Sequence, residues 1–178
     1  MGGARRRGRF VAARARRPGL ERPADWIASV RLVAAPFVLL EVAIERGNYP
    51  DGDEPWAWAL AVAFALGAIA LFRFRERAAV ALIWDTALVS GFVVLYGFEP
   101  NSPVRQLLVL LVVEAALRYG KAGAAWCVAS TPALALFEWR ASERLDVSYD
   151  PGHVLAPIGF QLLVGLIVGA LAERARVR

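Results

Sequence analysis

Four ionisable side chains, Arg31, Glu41, Asp85 and Glu114, each interrupt an otherwise apolar run of this 178-residue sequence. A charge in hydrocarbon is expensive unless it faces a partner, so each is expected to point into a protein interior. Counting along helices, Arg31 lies about five residues from the start of its run, Asp85 about seven, and Glu114 about four from the end of its own. These three therefore share one depth and form an expected buried polar cluster. Arg31 and Glu41 are about 15 Å apart along one helix, too far to pair. Glu41 falls instead at the level of Arg105, an expected outer-leaflet pair. Glu114 and Arg118 stand in the favourable i,i+4 order. The cluster has two readings: a proton, ion or ligand site, or a structural ion pair that fixes helix register. The structural reading carries more weight, because a transport path would continue in polar groups to the far side.

Other chemistry is scarce. His153 is the only histidine and Cys127 the only cysteine, which excludes a multi-His metal cluster, an intramolecular disulfide and a CxxC metal site. His153 heads an apolar run and reads as an interfacial residue. The sequence has no Walker loop, no nucleophile elbow and no HExxH. The expectation is a protein without a catalytic site, metal or cofactor.

The elements that hold these residues follow from hydropathy. Hydrophobic residues make up 58% of the chain, with mean hydropathy +0.46. A soluble fold this small could not bury that much apolar surface, and the charges cluster between long apolar stretches, as depth segregation in a bilayer requires. Six runs approach the roughly 17–25 residues of a membrane span: Trp26–Glu45, Trp56–Phe72, Ala78–Tyr96, Val104–Leu117, Ala122–Phe137 and His153–Leu171. The fourth and fifth are short. The expected fold is all-α, a six-helix transmembrane bundle in the cell membrane. Residues 1–25 form a basic tail expected to be disordered, 26–172 the membrane domain and 173–178 the end of an exit helix.

Orientation follows from the loops. Eight arginines precede Trp26, three lie in 73–77, two basic residues in 118–121 and three after Leu171, while the alternate loops hold only Arg46, Arg105, Arg140 and Arg144. Both termini are therefore expected on the cytoplasmic side. The basic residues behind the net charge of +5 sit in the tail and loops, which excludes nucleic acid as the main partner. The tail resembles a signal-peptide start, but the following run is broken by Arg31 and Glu41 and has no small-residue cleavage site.

Helix punctuation supports the spans. Glu54–Pro55, Ser102–Pro103 and Asp150–Pro151 each place a proline at a helix start, where its missing N–H costs nothing. Pro36, Pro132 and Pro157 lie within or near spans and are expected kink positions. Gly165 and Gly169 have the GxxxG spacing that lets backbones approach, an expected packing contact within the bundle.

The stretch IWDTALVSGFVVLYGFEPNSPVRQLLVLLVVEAALRYGKAGA, from Ile83, resembles the multi-span input domain of bacterial membrane sensor histidine kinases. The resemblance rests on an early aspartate in the span, the turn from Gly97 to Pro103 and the inner turn Ala115–Gly120. The ending GLIVGALAERARVR is similar to an exit helix that leads into a signalling domain. The resemblance implies a signal-input module of a two-component system. Its partners would be the lipid bilayer and a cytoplasmic signalling protein or a second copy of the chain. The kinase's phosphoacceptor histidine and nucleotide motifs are not in this sequence, which fits a detached input module or a stand-alone membrane protein of similar build. The alternatives are a small six-span transport component that captures substrate for a separate energising partner, or a structural membrane protein.

Overall fold

The computed structural model describes residues 23–50, 52–73, 78–99 and 103–177. Among these residues, six α-helices follow in order: α1 Pro23–Ile44, α2 Glu54–Arg73, α3 Ala78–Leu95, α4 Leu107–Tyr119, α5 Thr131–Leu145 and α6 Gly152–Val177. Three 3-10 segments join them, Tyr96–Phe98, Pro103–Gln106 and the long Gly120–Ser130. Among the described residues there is no strand. Most of the expected basic tail lies outside the described residues, and α1 begins three residues before Trp26.

Among the described residues, four helical stretches are long and apolar enough to cross a membrane: Ile27–Ile44, Glu54–Arg73, Ala79–Phe98 and Gly152–Arg176. That is the build of a multi-pass membrane protein. Only 22% of the apolar window in α6 is buried within the chain, and Val33, Phe37, Leu40 and Ile44 of α1 are all exposed. In water such contiguous apolar surface would drive association; lipid satisfies it.

α3 is central because its faces serve two cores. Phe92 and Leu95, with Tyr96 of the following 3-10 turn, pack with Val42 of α1 and Ala57 and Ala61 of α2. Val93 packs instead with Leu108 and Leu111 of α4, Leu134 and Phe137 of α5 and Val154 of α6. The buried positions of α2 are Ala57, Ala61, Gly67 and Ala68, all small, so its neighbours approach closely. Trp84 of α3 lies over Gly67, where any side chain would strike the indole.

The fourth and fifth expected spans differ most from their expected form. α4 has 13 residues, preceded by the 3-10 turn at Pro103–Gln106. The expected fifth span, Ala122–Phe137, starts as 3-10 helix and becomes α-helical only at Thr131; α5 then continues past Phe137 to Leu145. The cause of the 3-10 stretch is crowding. A Cβ at Gly123 would enter the backbone of Ala115 and Ala116, and one at Gly169 would lie 2.6 Å from the Gly120 carbonyl and the Lys121 nitrogen. A 3-10 helix is the narrower of the two, and this one fits between α4 and α6. Gly165 belongs to the same seam, its missing Cβ leaving room for Ala124 and Val112. The GxxxG pair thus packs within the chain.

Helix ends follow local chemistry. Asp150 Oδ1 accepts from the Gly152 amide at 2.7 Å, capping α6. α5 closes on Asp146 in the left-handed region, φ 53°, with the Val147 amide donating to the Ser142 carbonyl at 3.1 Å. Pro132 falls in the first turn of α5, where it starts the helix rather than kinking it. Pro36 and Pro157 lie inside α1 and α6.

Candidate functional site

The three charges at common depth meet. Arg31 comes from α1, Asp85 from α3 and Glu114 from α4, three helices far apart in sequence. Arg31 Nε donates to Asp85 Oδ2, and Arg31 Nη2 donates to Glu114 Oε1 at 2.6 Å. Arg118 joins from the next turn of α4, donating Nε and Nη2 to the same Glu114 oxygen at 3.0 and 2.7 Å. All four side chains are at most 10% exposed.

The electrostatics follow from composition. Two guanidinium groups and two carboxylates give a neutral tetrad when all are ionised. Burial of charge is tolerable only when paired and hydrogen-bonded in this way, and removing one member leaves an uncompensated charge. Glu114 is the hub, since one of its oxygens serves two arginines. Asp85 depends on Arg31 alone among the contacts described. The guanidinium groups already occupy the carboxylates, and among the described residues no His, Cys, Asp and Glu group is placed to hold a metal ion.

The next residue, Thr86, ties the tetrad to the 3-10 stretch. Its hydroxyl donates to the Leu82 carbonyl at 2.6 Å and accepts from Trp126 Nε1 at 2.9 Å. The end of α4 is gripped from another side. Arg176 Nη2 of α6 donates to the Leu117 and Arg118 carbonyls at 2.6 and 2.9 Å. Glu173 Oε1 accepts from the Lys121 amide at 2.9 Å, and Glu173 also pairs with the Lys121 ammonium at 3.6 Å. The orphan carbonyls at the end of α4 thereby find a cation, as a helix C-terminus favours. The site thus runs from a buried tetrad, through the last turn of α4, to the exposed end of α6.

Glu41 and Arg105 are not brought together. Arg105 lies with its guanidinium carbon 5.5 Å from the centre of the Phe137 ring, and among the described residues no ion pair joins it to Glu41, which is exposed. Equal depth was insufficient: the aromatic face of α5 lies beside Arg105, and a ring face attracts a cation. The polar pairs at that end of the bundle are others. Arg140 Nη2 donates to Asp53 Oδ2 at 2.7 Å, and His153 Nδ1 lies 2.9 Å from Glu138 Oε1. Sequence reasoning missed both, along with the Arg176 clasp. The basic end of α6 was the available signal for the clasp, because arginines late in a helix look for carbonyl or acidic partners.

Comparison with protein-family models, with characterised proteins and with solved structures finds no match to this chain.

Proposed function

We propose that this chain is a membrane-embedded signal-input module: six spans, both termini cytoplasmic, with α6 passing a conformational change to a cytoplasmic partner or a second copy. The observation that carries this reading is the clasp of Arg176 on the carbonyls of Leu117 and Arg118, because Arg118 is itself a member of the buried tetrad. A shift in how Glu114 divides its oxygen between Arg31 and Arg118 moves the last turn of α4. That turn is bonded to the end of α6. Such a device needs a differential bias of only a few kcal/mol between its two arrangements.

Six spans are supported by reach. Pro103–Gln106 with α4 extends about 27 Å, and Gly120–Ser130 with α5 as far as Phe137 about 32 Å, close to the roughly 30 Å hydrocarbon core. The basic asymmetry supports the orientation, and the likeness of residues from Ile83 onward to sensor-kinase input domains supports the signalling role.

The test grafts residues 1–178 onto the catalytic half of a membrane sensor kinase and measures autophosphorylation in membranes. Asp85→Asn, Arg31→Ala and Arg176→Ala are each expected to change the basal level several-fold. Constant activity across all three and under every membrane stress applied refutes the reading. Alkaline phosphatase fused after Arg178 is expected to be inactive, and fused near Asp51 active; the reverse refutes the orientation.

A further inference from the structure

Beside Glu41, the helices α1, α3 and α4 border a cavity of about 250 Å³. Its wall includes Phe37 and Glu41 of α1, Phe92 of α3, Tyr96 of the turn that follows, and Leu107 of α4. Glu41 is exposed, and among the described residues its side chain makes no hydrogen bond or ion pair. It stands within the apolar face of α1, with Phe37 and Leu40 before it and Ile44 after it, all exposed. A carboxylate inside an apolar span is a candidate site, and its character is read from the groups around it.

The wall selects among ligands. Among the described residues, Glu41 is its only charged member. An anion would meet a carboxylate and no basic partner, and the phosphate of a zwitterionic head group would fare no better. A metal ion needs several oxygen ligands. The wall offers one carboxylate and the Tyr96 hydroxyl, which is already 2.7 Å from that of Tyr49. An organic cation asks for less: one counter-charge and aromatic surface, which attracts cations. Phe37, Phe92 and Tyr96 supply that surface.

We propose that this cavity holds the head of a membrane-soluble alkylammonium, its cation paired with Glu41 and its first methylenes against Phe92 and Leu107. A volume of about 250 Å³ is below the roughly 300–1,000 Å³ of whole small-molecule sites, so it receives a head group and the start of a chain. Phe37 precedes Glu41 by four residues and Phe92 precedes Tyr96 by four, so both rings lie about 6 Å further from the helix ends. Phe37 and Leu107 are 65% and 42% exposed, which opens the cavity onto the apolar surface that faces lipid. An amphiphile with its charge near the helix ends and its chain inward keeps the orientation it holds in a bilayer. Binding here does not depend on the signalling role proposed above.

Purified full-length protein in phosphatidylcholine nanodiscs is titrated with dodecyltrimethylammonium, dodecanol and tetramethylammonium, and the uptake of empty nanodiscs is subtracted. Dodecyltrimethylammonium is expected to bind at least about fivefold more tightly than dodecanol, the scale of one partly exposed ion pair. Glu41→Gln is expected to erase that preference and leave dodecanol binding unchanged, since the amide keeps the shape of an exposed side chain. Glu143→Gln removes an exposed carboxylate outside the cavity and is expected to change nothing. Equal affinity for the cation and the alcohol overturns the proposal. So does a preference that survives Glu41→Gln, or one that falls equally with Glu143→Gln. No binding beyond that of empty nanodiscs means that water or a proton satisfies Glu41, and also overturns it. Tetramethylammonium binding as tight as that of the long-chain cation identifies a water-soluble ligand and overturns the membrane origin.

Discussion

Replacing Arg31 by Met removes the one cation that Asp85 touches while preserving most of the side-chain length. Asp85 and Glu114 are 6% and 8% exposed, so neither carboxylate can recover its lost contact from water. Glu114 keeps Arg118, at 2.7 Å, but Asp85 keeps nothing among the contacts described. Breaking a buried pair from one side costs about 3–5 kcal/mol, most of it the stranded charge rather than the lost attraction. The cost in Arg31→Met is therefore expected to be about 4 kcal/mol and to be carried by Asp85. Adding Asp85→Asn removes the stranded charge and is expected to restore about half or more of the loss. The assay is reversible unfolding in mixed micelles, completed as a double-mutant cycle. A single-mutant effect below about 1 kcal/mol, the scale of an exposed pair, refutes the buried tetrad. So does a double mutant no more stable than Arg31→Met.

The glycine seam gives a contrast within one helix. Gly169→Val drives a side chain into the Gly120 backbone and is expected to destabilise by about 3 kcal/mol or more, whereas Gly159→Val, with nothing within 4 Å, is expected to be nearly neutral. Equal effects in thermal unfolding would show that α6 does not pack through Gly169. Tyr49, buried in the loop between α1 and α2, donates to or accepts from the Tyr96 hydroxyl at 2.7 Å, and burial raises its pKa above the usual 10.0. The sign follows: the folded state holds the proton longer, so this stabilisation is fully present below pH 10 and lost as pH rises through the raised folded value. Phenolate absorbance in wild type minus Tyr49→Phe should therefore titrate above the usual tyrosine range, and titration at or below it contradicts the packing.

The apolar runs carried α1, α2, α3 and α6 in the sequence alone, because hydropathy and length are local properties and lipid rewards them without reference to neighbours. Asp150 and Pro151 marked the start of α6 for a similar reason, since a cap needs only the residues beside it. Arg31, Asp85 and Glu114 were also legible as a set: shared depth and the expense of a lone buried charge leave little choice but mutual pairing. The same reasoning failed for Glu41 and Arg105. Glu41 is exposed, so nothing forces it to pair, and Arg105 had a ring to rest on. The 3-10 form of Gly120–Ser130 was not legible either. Its residues do not choose between the two helix types; the space left between Ala115 and Gly169 does, and that space exists only once α4 and α6 have packed. The grip of Arg176 on the end of α4 and the cavity beside Glu41 belong to the same level. Both arise from which helices become neighbours, and proximity between residues some 60 positions apart is a property of the assembled bundle.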